Sequence, residues 1–272
     1  MPTTEPGRAP HSPSLLARPT PWLIGVLHLP ALPGAPESTL PVDAIAEHAA
    51  EDADHLRRAG FTAVLIENFH DRPFRRERAD PETVAAMAVV ASRVRAAVDL
   101  PLGVNVLRND ALAALGICVG AGGSFLRVNV LAGAAATDQG LIEGRADELL
   151  RRRRALGRDV AILADVDVKH ATALDTRPLA ERARDLVGRA RADVVLVTGS
   201  ATGQPVDLEQ LSAVAEAIAP APALAASGAT ASRLPELLRR CAGAIVGTAL
   251  QQPGTGRIDP ARARSFAEAA RP

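Results

Sequence analysis

From Trp22 onward the chain alternates short apolar, β-branched runs with longer segments whose apolar residues recur at helical spacing. That alternation is the signature of parallel β/α architecture. Strands are predicted over WLIGVLH (22–28), AVLIEN (63–68), LGVNV (102–106), FLRVNV (125–130), VAILADV (160–166), DVVLVTG (193–199), PALAASG (222–228) and GAIVGT (243–248). Helices are predicted over 43–58, 81–98, 109–120, 145–156, 178–190, 207–219, 230–240 and 259–270. Asp80-Pro81 places a capping acid before a first-turn proline, and Asp43, Asn109 and Asp207 precede apolar-periodic runs. Gly60 and Gly157 stand where helices end.

Eight units in about 250 residues is the size of a closed (β/α)8 barrel, the TIM barrel. The expected organisation is a single α/β barrel domain over 21–272, with a doubly wound open sheet as the alternative topology. Residues 1–20 are rich in Pro, Ser and Thr without apolar periodicity, so they are expected to be a disordered tail that includes His11.

Composition narrows the function classes. A chain with 47% hydrophobic and 23% charged residues can bury a full core, and it contains no apolar run of the roughly 20 residues that a membrane span needs. No early segment reads as a signal peptide, so the expected location is the cytoplasm. Cys118 and Cys241 are read as small core residues, since two cysteines make no disulfide framework and no zinc spacing occurs. Zero formal net charge and 2% aromatics give neither the electrostatic footprint nor the stacking platform of a nucleic-acid binder. The expected partner is a small molecule.

The polar residues then take on meaning, because a barrel builds its active site from the C-terminal ends of its strands. The fifth strand runs into Asp165, Asp167 and Lys169 at alternate positions, with His170 next, so strand geometry would aim all three charges to one face. Other strands end in His28, in Glu67 and Asn68, in Asn105 followed by Arg108 and Asn109, in Arg127 and Asn129, and in Thr198 and Gly199. A lone Asn or Thr at such a place is usually a turn former or cap, whereas several clustered charges are costly unless paired or functional. His48 and His55 are read as structural, and Arg151–Arg154 as a solvated helix face paired to Asp147 and Glu148. Ser227, Gly228 and Ala229 on strand seven, with Gly247 and Thr248 on strand eight, form glycine turns where barrels hold phosphate with backbone N–H groups. The expected fold is therefore ribulose-phosphate-binding-barrel-like.

Several ordered strings carry a family resemblance: IGVLHLPALPG (24–34), ENFHDRPF (67–74), GVNVLRNDA (103–111), RVNVLAG (127–133), TDQGLIEG (137–144), ADVDVKHA (164–171) and VTGSATG (197–203). Together with SGAT and VGT they resemble the BtpA/SgcQ family of (β/α)8-barrel proteins. The family's name comes from a protein linked to photosystem I accumulation, while related bacterial members look like sugar-metabolism enzymes. The resemblance implies that Asp71, Asp138, Gln139 and Glu143 join the residues already named at the mouth. Two departures stand out: His70 replaces a usual glycine, and QQPGTGRID lacks the family's lysine-rich final loop, leaving Arg257 as a substitute phosphate contact.

Two functions follow as expectations. One is an enzyme acting on a small phosphorylated sugar or sugar-linked metabolite by acid/base chemistry of isomerase, lyase or glycosidase type, with Asp165, Lys169, His170, Glu67 and His28 as catalytic residues. The other is a non-catalytic assembly or stability factor for a membrane complex, with no membrane insertion of its own. No cofactor or metal is expected; Mg²⁺ on the paired acids, and a Schiff base on Lys169, are the minority alternatives. Against the Schiff base, adjacent Asp165 and Asp167 are expected to raise the lysine pKa. A homo-oligomer is expected from the habit of soluble enzymes.

Overall fold

The alternation resolves into a closed barrel of eight parallel strands in a computed structural model that describes residues 13–199, 201 and 203–271. In chain order the strands are β1 (Trp22–His28), β2 (Ala63–Glu67), β3 (Leu102–Asn105), β4 (Phe125–Val128), β5 (Ala134–Thr137), β6 (Gly140–Glu143), β7 (Ala161–Asp165), β8 (Ala171–Ala173), β9 (Val194–Val197), β10 (Ala223–Ala225) and β11 (Gly243–Val246). The barrel closes in the order β1-β11-β10-β9-β7-β4-β3-β2, which replaces the open-sheet alternative. Around it lie α1 (Val42–Ala59), α2 (Pro81–Ala97), α3 (Ala111–Ala121), α4 (Ala146–Ala155), α5 (Leu179–Gly188), α6 (Leu208–Ile218), α7 (Leu234–Leu238) and α8 (Pro260–Ala269).

Period-2 alternation decides what enters the barrel. Trp22, Ile24 and Val26 of β1, Ala63 and Leu65 of β2, Phe125 of β4 and Leu163 of β7 form one interior cluster, while Leu126, Val128, Ile162 and Ala164 pack outward against the helices. Gly103 makes room for the Phe125 ring, whose atoms lie 2.1 Å from where a Cβ would stand. Continuing the inward series to the strand ends selects His28, Glu67, Asn105, Arg127 and Asp165. The polar mouth is thus the same inward face as the apolar core, one register step further along each strand.

Three expectations are corrected, and one segment for which no element is predicted proves structured. Residues 1–12, including His11, lie outside the described residues, but part of the remaining tail is ordered: Leu15 is fully buried in the interior cluster beside Trp22, whose indole donates to the Arg18 carbonyl at 3.0 Å. An apolar side chain closing the barrel bottom outweighs the polar composition around it. The segment between β4 and α4 is not a plain loop; β5, β6 and β8 form an antiparallel sheet, with Val130, Ala135 and Ile142 packed inside. The helix expected over 230–240 shrinks to α7, preceded by turns. Finally α3 is capped by Asp110, which accepts from the Ala113 N–H at 3.0 Å, because Asn109 instead bonds both backbone groups of Val130.

Candidate active site

The C-terminal mouth holds a cavity of about 820 Å³. Its wall includes His28, Glu67, Arg108, Arg127, Asn129, Lys169 and His170, with Asp138 reaching in from the β5–β6 turn. Ser227, Gly228 and Ala229 after β10 and Gly247 and Thr248 after β11 line it as well.

Arg127 organises the floor. Its Nη2 lies 3.0 Å from Asp165 Oδ1 and its Nε 3.2 Å from Oδ2, while Nη1 stands 3.9 Å from Glu67 Oε2. Asn129 donates to Asp165 at 2.8 Å, and Asn105 donates to Asn129 at 3.1 Å. Burial pushes the Asp165 carboxyl above its ordinary pKa, opposed by Arg127, Lys169 and Asn129. Every contact it receives is a donor, an environment suited to the ionised carboxylate. Burial acts against the Arg127 cation too, but the charges of Asp165 and Glu67 carry its pKa upward.

His28 Nε2 stands 3.7 Å from Glu67 Oε1, its ring stacks on Phe69 at 4.3 Å, and the Gln251 amide nitrogen lies 3.0 Å from Nδ1. Burial lowers the His28 pKa against the pull of Glu67, so the neutral imidazole prevails at neutral pH. With Nδ1 accepting from Gln251, the ring proton is on Nε2 and faces Glu67. A Cβ at Gly247 would come within 2.8 Å of this ring, so glycine is what lets the β11 turn meet His28.

Lys169 follows β7 in a turn, its carbonyl held by Arg108 Nη2 at 2.5 Å. Burial, then the charge of Arg127, bring its pKa down to about 8, against the opposing effect of Asp165 and Glu67. This reverses the expected upward shift. Of the acids that were to hold the ammonium, Asp165 is engaged with Arg127 and Asp167 with Arg182, and desolvation wins.

Asp167 is a second correction. The strand ends at Asp165, so alternation stops, and Asp167 turns outward to a two-armed contact with Arg182 at 2.6 and 2.8 Å. Asp165 and Asp167 therefore turn to different arginines. Asn68 and Asp71 brace the loops instead of lining the cavity: Asn68 donates to Asp71 at 3.0 Å and accepts from Leu107 N–H, while Asp71 accepts from Leu32 N–H at 2.7 Å. Thr198 donates to the Asp167 carbonyl, and Gly199 donates to Ser227 Oγ at 2.6 Å. Glu143 is exposed on the hairpin, and Gln139 bonds its neighbour Asp138. His70 packs its edge on Phe69 instead of entering the cavity, and Arg257 binds Asp52 and Glu51 of α1.

At the glycine turns Gly228 has φ 59, and a Cβ there would meet Gln204 O at 2.4 Å. Among the described residues the N–H groups of Gly228, Ala229 and Thr230 donate to no backbone carbonyl. Phe69, Arg72 and Phe74 also line the cavity, and no strand-end signal marks them because they lie in the loop after β2. A different signal was available for Lys169: it is the sole lysine of the sequence.

Comparison with known proteins agrees with this architecture. The N-(5'-phosphoribosyl)anthranilate isomerase from Pyrococcus furiosus superposes with TM-score 0.58 at 15% identity, covering 92% of this chain and 98% of that one. A 3-hexulose-6-phosphate synthase gives TM-score 0.57 at 18% identity, covering 92% and 100%. In sequence, the Photosystem I biogenesis protein BtpA of Synechocystis is 44% identical over 249 residues, 91% of this chain and 87% of that protein. An uncharacterized protein of Thermococcus kodakarensis is 45% identical over 251 residues, 92% and 95% of the two chains. Residues 20–272 match the BtpA family along nearly the whole barrel, and the chain belongs to that family.

Proposed function

We propose that this chain is an enzyme acting on a small phosphorylated sugar or sugar-linked metabolite by acid/base chemistry of isomerase, lyase or glycosidase type. The observation that carries the reading is that one cavity is lined both by the glycine turns after β10 and β11 and by acid/base side chains. Gly228, Ala229 and Thr248 offer backbone turns to a phosphate, and Lys169, Glu67 and His28 line the same cavity. An amine with a pKa of about 8 beside carboxylates is suited to moving protons near neutral pH. His28 Nε2–H is the available donor to a developing oxyanion. The chemistry uses side chains alone, without a resident cofactor or metal. The names of the structural neighbours, which include an N-acetylmannosamine-6-phosphate 2-epimerase, support a phosphorylated sugar as the substrate class.

The assembly-factor reading has the name of the Synechocystis relative in its favour. Among the described residues no helix is long and apolar enough to cross a membrane, so that role would require a docking face. The charged cavity supports the enzyme. A homo-oligomer and a cytoplasmic location belong to the same proposal.

The test is a thermal-shift screen against inorganic phosphate, pentose phosphates and nucleoside monophosphates, comparing the parent with Thr248→Asp. Thr248 is exposed, so the new charge repels an anion at little cost to folding. A ligand at about one hundred times its Kd adds roughly 2.7 kcal/mol of stability. Stabilisation that Thr248→Asp abolishes supports the reading; no shift with any phosphorylated compound overturns it.

A further inference from the structure

The 272-residue chain carries 31 lysine and arginine residues, and Lys169 is the one lysine among them. Everywhere else that the protein needs a cation it uses arginine, including Arg127 and Arg108 in the same cavity. Arginine supplies charge and forked hydrogen bonds as well as lysine or better, but its guanidinium cannot lose its proton and become a nucleophile. What lysine alone provides is a primary amine. A sequence that puts arginine at every other cationic position keeps the amine only where a substrate can enter.

The local geometry fits nucleophilic use. Asp165 is engaged by Arg127 and Asn129, and Glu67 stands between His28 and Arg127. Among the described residues no carboxylate oxygen lies within the 4.0 Å ion-pair distance of Lys169 Nζ. The backbone of Lys169 is fixed through its carbonyl by Arg108, and the side chain lines the cavity. A structural lysine would be expected to close an ion pair or snorkel to bulk water. This one is half-buried in the cavity, where desolvation first, and then the charges of Arg127 and Arg108, disfavour its ammonium form and leave a substantial neutral fraction near pH 8.

We propose that Lys169 Nζ forms a covalent imine with the carbonyl carbon of the phosphorylated sugar bound in this cavity. The inference rests on the phosphosugar reading and selects among its reaction types those that run through an imine, carbon–carbon cleavage or condensation foremost. The Lys169 ammonium gives up one proton and, as the neutral amine, adds to the carbonyl; the C–N bond forms and the carbonyl oxygen takes up the released proton to give the N-protonated carbinolamine. Glu67 receives the proton from the nitrogen and returns it to the departing hydroxyl. The C–O bond then breaks and one water leaves, so that ammonium and carbonyl become protonated imine and water, with charge conserved. The positive imine next draws electrons from the neighbouring carbon, and hydrolysis restores Lys169.

The full chain is incubated with dihydroxyacetone phosphate, ribulose 5-phosphate or glyceraldehyde 3-phosphate and reduced with sodium borohydride. Intact mass and peptide mapping follow. A single lysine makes the assignment unambiguous, because the N-terminal amine lies on a different peptide. The expected result is an adduct of the sugar phosphate less one oxygen on the Lys169 peptide. It is lost without borohydride, lost in Lys169→Arg and Lys169→Met, and suppressed by excess inorganic phosphate. Both variants are melted alongside the parent, and whichever keeps its transition serves as control. A sugar phosphate that raises the melting temperature but leaves no adduct, or an adduct on the N-terminus alone, overturns the imine while the phosphosugar reading stands. If no sugar phosphate shifts the melt, both fall.

Discussion

Arg127 and Asp165 face each other inside the barrel from the ends of adjacent strands, Nη2 to Oδ1 at 3.0 Å, with the Asp165 side chain wholly closed to solvent. Such a pair costs desolvation on both sides, so its removal as a unit and its rupture have different consequences. Asp165→Ala leaves Arg127 buried with only the distant Glu67 carboxylate, and a loss of about 3–5 kcal/mol is expected. The double variant Arg127→Met/Asp165→Leu should recover a large part of that loss. Urea unfolding of the three proteins checks the pair, and additive losses would show that the two side chains act independently.

The barrel and its mouth were legible because both obey one periodicity: the alternation that buries Ile24 and Leu65 also aims His28 and Glu67 inward. Where a strand stops, that logic stops, which is why Asp167 turns to Arg182 while Asp165 stays inside. The antiparallel sheet of β5, β6 and β8 was not legible, since its runs of three or four mostly small residues carry no apolar alternation. Phe69 and Arg72 escaped for a related reason: loop conformation, not strand register, carries them to the cavity.

Leu15 tests the reach of compositional reasoning. It lies in a Pro- and Ser-rich stretch, yet it is fully buried in the interior cluster at the bottom of the barrel. Leu15→Ala should cost about 2–5 kcal/mol, whereas the exposed neighbour Leu16 should tolerate alanine. Denaturant midpoints of the two variants decide; equal midpoints would mean that the segment does not close the barrel.

Arg257 holds α1 through Asp52, Nε to both carboxylate oxygens at 3.0 Å, and through Glu51 at 2.8 Å. Burial raises the Asp52 pKa against the hold of Arg257, so its removal leaves a carboxylate largely out of water without its partner. Arg257→Met should therefore lose about 1–3 kcal/mol of stability. It should leave the stabilisation by inorganic phosphate unchanged. A variant that loses phosphate binding but not stability would return Arg257 to the phosphate end of the cavity.

Lys169 makes the pH dependence of stability specific. Its amine titrates near 8 in the folded chain against 10.5 for the ordinary lysine expected on unfolding. A lysine whose pKa falls on folding binds fewer protons in the native state between those values, so this group makes stability rise with pH across that window. The penalty is fully present below about pH 8 and relieved above about pH 10.5, with a total on the order of 3 kcal/mol. Other groups titrate in the same range, so the informative quantity is the unfolding free energy of the parent minus that of Lys169→Met. That difference should be flat below pH 8, climb through the window and flatten again. Urea unfolding at closely spaced pH values measures it, and a difference independent of pH would mean that Lys169 keeps an ordinary amine. The same ionisation should govern reaction with carbonyl compounds. Borohydride-trapped adduct on Lys169 should increase with pH up to about 8 as the neutral amine accumulates, tying the stability curve and the chemistry to one proton.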